Sequence, residues 1–127
     1  MSVKLTWYGH GCWLIETAGQ KLILDPFLNE SPTAPLKAND VNADFILVSH
    51  GHFDHVADVE TIAKASGAMV IAIFEIAQWF GKLGITNTLG MNIGGTTNQA
   101  FGELTINRDP IRPVSSACGP ARTIHEL

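Results

Sequence analysis

The chain has 127 residues, of which 46% are hydrophobic and 16% charged, and its net charge is −4. This length and composition predict one globular domain and exclude a disordered chain. The negative charge argues against a nucleic-acid-binding protein, because such proteins present a basic face to the phosphate backbone. Two cysteines, Cys12 and Cys118, are too few for a disulfide framework.

Targeting and membrane segments are not predicted. The first residues lack the long apolar core of a signal peptide. The most apolar window, Ala68 to Phe80, is interrupted by Glu75 and Gln78 and is too short to span a bilayer. We therefore expect a cytoplasmic protein with no membrane partner.

Three short runs rich in strand formers open the chain. Residues 4–8, 12–17 and 21–25 predict an antiparallel meander, in which the tight turn Ala18-Gly19-Gln20 joins the last two strands. Pro26 ends the third strand. Residues 26–40 show no clear periodicity and predict a long loop, and loops of this length in compact domains are often functional.

The following segment alternates between strand and helix patterns. Residues 43–49 predict a buried strand, and apolar residues at helical spacing predict a helix from Val56 that Gly67 ends. A strand at 69–74, a helix at 75–83 and a last strand at 104–106 follow. This order implies parallel pairing with right-handed crossovers. The Gly-rich residues 89–96 lack the lysine of a phosphate loop, so we do not predict a nucleotide site there.

The segment from His50 to His55 carries the strongest functional signal. His50 and His52 stand two residues apart after a buried strand, where side chains point the same way and can bind one ion. Asp54 and His55 follow where the chain turns into the helix, and can bind a second. These ligand types predict Zn²⁺, with Mn²⁺ or Fe²⁺ as alternatives. Two ions about 3.5–4 Å apart can activate water for hydrolysis, and Asp54 is the candidate catalytic residue. The alternative is a polar surface loop whose histidines cluster by chance.

Other residues keep two interpretations. His10, in a Gly-flanked turn, is either a site residue or a surface residue. Asp25 either orients a ligand histidine or forms a turn. Phe53 either lines the pocket or fills the core. We expect Cys12 to be a small buried residue, and we expect the three tryptophans to lie in the core: Trp7, Trp13 and Trp79.

The segment from His50 to His55 resembles the signature of the metallo-β-lactamase superfamily. Further motifs resemble a branch of small, uncharacterised metal-dependent hydrolases near the ascorbate-phosphate lactonases. They comprise residues 7–16 (WYGHGCWLIE), 24–27 (LDPF), 72–75 (AIFE) and 90–95 (GMNIGG). The resemblance covers residues 3 to about 106 and implies an αββα sandwich with a dinuclear site and a small-molecule substrate. By the family pattern, His50 and His52 bind the first ion, Asp54 and His55 bind the second, and His10 lies near the active-site mouth.

The chain also departs from that pattern. Family members have a third histidine for the first ion, a bridging aspartate and a further histidine for the second ion. The third histidine precedes a serine pair, whereas here Val114 precedes Ser115-Ser116, and His125 is a poor substitute. The chain therefore resembles the N-terminal half of the fold: residues 1–107 form a partial metallo-hydrolase domain. Residues 108–127, which contain all three arginines, form an atypical tail that we expect to be poorly structured.

Two functional hypotheses follow. The first is a metal-dependent hydrolase in which activated water attacks an ester, lactone, amide or phosphoester. The second is a truncated, non-catalytic chain that binds metal weakly or associates with a partner, because the family's remaining ligands are absent. In the second case, an uncovered sheet face would mediate oligomerisation.

Overall fold

The computed structural model describes residues 2–108, and the tail beyond Arg108, with Cys118 and His125, lies outside the described residues. Within residues 2–108, eight strands, three α-helices and one 3-10 helix follow one another. Their bounds are β1 Val3–Trp7, β2 Trp13–Thr17, β3 Gln20–Leu24, the 3-10 helix Ala38–Asp40, β4 Phe45–Leu47, α1 Phe53–Val56, α2 Val59–Ser66, β5 Met69–Ile73, α3 Phe74–Lys82, β6 Thr88–Met91, β7 Thr96–Gln99 and β8 Gly102–Thr105.

The first six strands form one sheet in chain order. β1, β2 and β3 are antiparallel neighbours, and β3, β4, β5 and β6 are parallel neighbours. The β2–β3 turn is tight because Ala18 and Gly19 both adopt positive φ angles, of 51° and 72°, as two-residue hairpins require. The predicted meander followed by alternating strands and helices is confirmed.

One sheet face packs against the helices and forms the larger core cluster. Ile23, Ile46 and Val70 occupy equivalent positions on three neighbouring strands and are fully buried there. Helix α2 contributes Val59 and Ile62 to this cluster. The helix-facing layer therefore holds the C-terminal ends of β3 and β4 in place. As predicted, Gly67 ends α2 in the left-handed conformation, with φ of 71°.

The opposite sheet face is also apolar but only partly covered. The β7–β8 hairpin lies over its β3–β6 part, where the ring of Phe101 meets that of Phe45 edge-to-face at 4.8 Å. Toward β1 the face is open, because Val3, Leu5 and Trp7 are each 59% exposed.

Several local predictions were wrong. The helix expected from Val56 is two helices, α1 and α2, and α1 includes Asp54 and His55. The break occurs because the backbone N–H of Asp58 donates to the carbonyl of Pro26. Strand β6 overlaps the start of the Gly-rich segment, and neither β6 nor β7 was predicted. The three tryptophans are 38–59% exposed, so they are not core residues.

Within residues 2–108, no helix is long and apolar enough to cross a bilayer.

Candidate metal centre

The site forms where the neighbouring strands β3 and β4 end. Both strands run parallel, with Leu24 opposite Leu47, so the residues that follow them emerge at the same edge of the sheet. The backbone N–H of Asp25 donates to the carbonyl of Leu47 at 2.9 Å, which carries the pairing one step further. Ser49 and His50 follow β4 directly, so the sheet itself brings Asp25 to the histidine segment.

Asp25 lies at the base of the site. Its side chain is buried, and the residue has a φ of 46°, a left-handed conformation that aspartate adopts more readily than most residues. The carboxylate accepts hydrogen bonds from the backbone N–H of Ser49 at 2.7 Å, from the Ser49 hydroxyl at 2.5 Å and from His55 Nδ1 at 2.9 Å. Asp25 therefore connects the end of β4 to helix α1.

His55 is oriented by these contacts. In the neutral ring, an Nδ1–H that donates a hydrogen bond to Asp25 leaves the lone pair on Nε2, which lies 3.9 Å from Asp54 Oδ1. The ring also packs against Gly11, where an added Cβ would stand 2.9 Å from His55 Cε1. Glycine at position 11 is therefore needed for the ring to take this place.

Asp54 and His10 form a hydrogen-bonded pair at the rim. His10 Nε2 donates to Asp54 Oδ2 at 2.7 Å across 44 residues of sequence. Partial burial works to raise the pKa of Asp54, but the hydrogen bond from His10 and the nearby His55 outweigh it, so the pKa lies below its usual value. Trp7 holds the turn that presents His10, because its indole N–H donates to the His10 carbonyl at 2.9 Å.

The other two histidines lie beside His55. The ring centroid of His50 is 4.0 Å from that of His55 and 4.7 Å from that of His52. Ser49 Oγ lies 2.8 Å from His50 Nδ1, so one hydroxyl contacts both this ring and Asp25. His52 Nε2 is buried and has no hydrogen-bond partner among the described residues.

These side chains form two groups whose potential ligand atoms all lie within 4.8 Å of one another: His10, Asp54 and His55, and Asp25, His50 and His55. Nitrogen and carboxylate donors suit zinc and similar divalent ions. A buried nitrogen without a partner costs about 1–3 kcal/mol, and a metal ligand bond at His52 Nε2 would remove that cost. The residues present therefore fit a divalent metal.

The structure brings together all six residues that the sequence singled out. The groups differ from the predicted pairing, because His50 lies with Asp25 and His55, His10 joins Asp54 and His55, and His52 lies beside both groups. Sequence reasoning missed Ser49 and Gly11. The signal for Ser49 was a polar residue at the end of a buried strand. The signal for Gly11 was a glycine directly after His10, in addition to Gly9 before it.

A family model described as a beta-lactamase superfamily domain matches residues 4–114. A UPF0173 metal-dependent hydrolase from Thermoplasma volcanium is 50% identical over 97 residues, which cover 76% of this chain and 42% of that protein. A UPF0173 metal-dependent hydrolase from Carboxydothermus hydrogenoformans is 42% identical over 108 residues, covering 85% of this chain and 46% of that protein.

Among solved structures, Igni18, a metallo hydrolase from the archaeon Ignicoccus hospitalis, matches with a TM-score of 0.65 and 31% identity. The match covers 75% of this chain and 42% of that one. The chain thus spans less than half the length of the curated relatives it matches. Since the family model covers most of the chain, this protein belongs to the beta-lactamase superfamily, and its relatives there are named metal-dependent hydrolases.

Proposed function

We propose that the site at the ends of β3 and β4 serves metal-dependent hydrolysis of an ester, lactone, amide or phosphoester. The observation that carries this proposal is the pair of converging donor groups, beside which the buried His52 Nε2 has no hydrogen-bond partner among residues 2–108. The relatives named as metal-dependent hydrolases support the same reaction class.

The residues proposed to hold metal are the four that the sequence identified, His50, His52, Asp54 and His55. Two divalent ions, with zinc the first choice, are expected in the intact site. When bound, such ions lower the pKa of a water molecule and polarise the oxygen of the scissile group. Asp25 and His10 surround this set, and their own hydrogen bonds support it.

The protein's contribution is to orient these groups. Asp25 accepts a hydrogen bond from His55 Nδ1–H. This bond orients the ring so that Nε2 is available as a ligand. Asp54 has a lowered pKa, so it stays ionised at neutral pH and is a weak base. A carboxylate of this kind is suited to accept a hydrogen bond from the attacking water and to align it.

Metal analysis of the purified chain tests the proposal. We expect zinc to bind, and His52→Ala to lower both zinc content and the hydrolysis of generic ester or phosphodiester substrates. His125→Ala is a matched control, because it removes a histidine outside the described residues and should leave both unchanged. Zinc content below about a tenth of an equivalent in zinc-supplemented protein would refute the proposed site.

A second candidate function is a non-catalytic chain that associates through its sheet. One observation favours it: Val3, Leu5 and Trp7 expose an apolar face. In that case, sedimentation should show concentration-dependent self-association that Leu5→Glu abolishes. A monomer at all concentrations would argue against this candidate.

A further inference from the structure

A large apolar side chain stands exposed between two candidate metal ligands. Phe53 lies between His52 and Asp54 in the sequence, begins helix α1 and is 61% exposed. It therefore does not fill the core. Exposing a phenyl ring to water is unfavourable, and a polar residue at this helix start would avoid that cost. Exposure alone does not distinguish Phe53, because Phe74 is 51% exposed at the start of α3; what distinguishes Phe53 is its place between two proposed metal ligands.

Phe53 belongs to a continuous set of rings. The ring of Phe27 meets that of Phe53 edge-to-face, with centroids 6.0 Å apart and planes at 70°. On its other side, Phe27 meets the ring of His10 at 5.7 Å and 71°. His10 in turn donates its hydrogen bond to Asp54. We call Phe53, Phe27 and His10 the aromatic wall; it extends from the solvent to the candidate metal ligands.

The middle of the aromatic wall is held in place by the backbone. The backbone N–H of Phe27 lies beside the buried Cys12 thiol. The next two backbone N–H groups, of Leu28 and Asn29, donate to the buried carboxylate of Asp58 at 2.5 and 3.1 Å. A surface fixed in this way loses little conformational entropy when a ligand binds.

We propose that the aromatic wall binds an aryl or similarly flat apolar group of the substrate, adjacent to the bond that is cleaved. This inference rests on the proposed hydrolytic function and specifies its substrate class: aryl-substituted esters, lactones, amides or phosphoesters. The reason is geometric. Rings that already meet edge-to-face leave a ring face available for a further aromatic group, and the wall ends at the groups that would hold the reacting atoms.

Two hydroxamic acids test the proposal on the zinc-loaded chain. Benzohydroxamate and acetohydroxamate bind zinc through the same group and differ in a phenyl or a methyl substituent. Calorimetry should show that benzohydroxamate binds about tenfold more tightly, the scale of one aromatic contact plus its buried area. Phe53→Ala should reduce this preference to less than about threefold, and Phe53→Leu to an intermediate value. Phe74→Ala is the control, because Phe74 is also exposed, at 51%, and begins α3.

The outcomes separate the two proposals. If zinc binds but the wild-type chain shows no preference, or if Phe53→Ala keeps it, the aromatic wall is refuted and the hydrolytic site stands. If neither zinc nor hydroxamate binds, the proposed function fails, and the aromatic wall falls with it because it has no reacting centre to serve. Because Phe53 is exposed, its replacement should leave folding intact, which circular dichroism will verify.

Discussion

Replacing Asp25 with asparagine separates the charge of this side chain from its shape. Asparagine also adopts positive φ readily, so the backbone at 46° is not strained by the change. What changes is the hydrogen bonding. The carboxylate of Asp25 accepts two hydrogen bonds from Ser49 and one from His55. The asparagine amide has only one accepting oxygen, and its NH₂ group would face a hydrogen-bond donor.

The size of the effect follows from these contacts. A hydrogen bond to a charged group contributes about 1.5–3 kcal/mol, and the Ser49 hydroxyl can rotate to recover part of the loss. We therefore expect Asp25→Asn to lower the free energy of unfolding by about 2–4 kcal/mol. Zinc affinity should fall by about 10- to 100-fold. The amide would donate to His55 Nδ1, which moves the ring proton to Nε2, the nitrogen that faces Asp54.

Urea unfolding followed by tryptophan fluorescence measures the first effect, and zinc competition with a chelator measures the second. Asp44→Asn is the control. Asp44 is exposed and its carboxylate accepts one hydrogen bond, from the backbone N–H of Lys21 at 2.8 Å. It should cost less than about 1 kcal/mol and leave zinc binding unchanged. An Asp25→Asn protein within about 0.5 kcal/mol of wild type, with unchanged zinc affinity, would refute the role assigned to Asp25.

Three further predictions concern single residues. His52→Ala should lower zinc affinity at least about tenfold. It should lower the free energy of unfolding by no more than about 1 kcal/mol, because the nitrogen it removes has no partner in the described structure. A larger decrease in the free energy of unfolding would show that His52 has a packing role instead. Burial raises the pKa of Cys12 to about 11, so the stability this thiol contributes is complete below its unfolded pKa and is lost as pH rises from about 9 to 11. The loss should reach about 3 kcal/mol in urea titrations and should be absent in Cys12→Ala. Gly11→Ala should displace the His55 ring, lower the free energy of unfolding by about 1–3 kcal/mol and weaken zinc binding. Gly81→Ala is the control and should have neither effect, because a Cβ added there meets open space.

Local patterns predicted much of the fold because each depends on residues close in sequence. The turn at Ala18-Gly19, the apolar run that forms β4 and the glycine that ends α2 needed only neighbouring residues. The predictions failed where distant contacts decide the outcome. The break between α1 and α2 depends on the bond from Asp58 to Pro26, and no periodicity in the helix itself reveals it.

The tryptophans also show that residues close in sequence do not decide burial. Trp7 and Trp13 face each other across β1 and β2, on the sheet face that the β7–β8 hairpin leaves open. An apolar side chain predicts a tendency to be buried, but burial needs a covering element, and none among residues 2–108 covers this end of the sheet. Composition alone therefore overestimated how much of this surface is core.

In the candidate site, some residues were predicted from the sequence and others were identified only from the tertiary structure. The segment from His50 to His55 by itself predicted a metal site for hydrolysis and four candidate ligands, because the ligand types and their spacing lie within six residues. The roles of His10 and Asp25 were decided only by the tertiary structure, because these residues lie 44 and 30 positions from their partners Asp54 and His55. Parallel pairing of β3 with β4 brings Asp25 to the histidines, and the turn held by Trp7 brings His10 to Asp54. Sequence spacing encodes neither distance, because one depends on a turn and the other on the pairing of two strands, and both join residues that are distant in sequence.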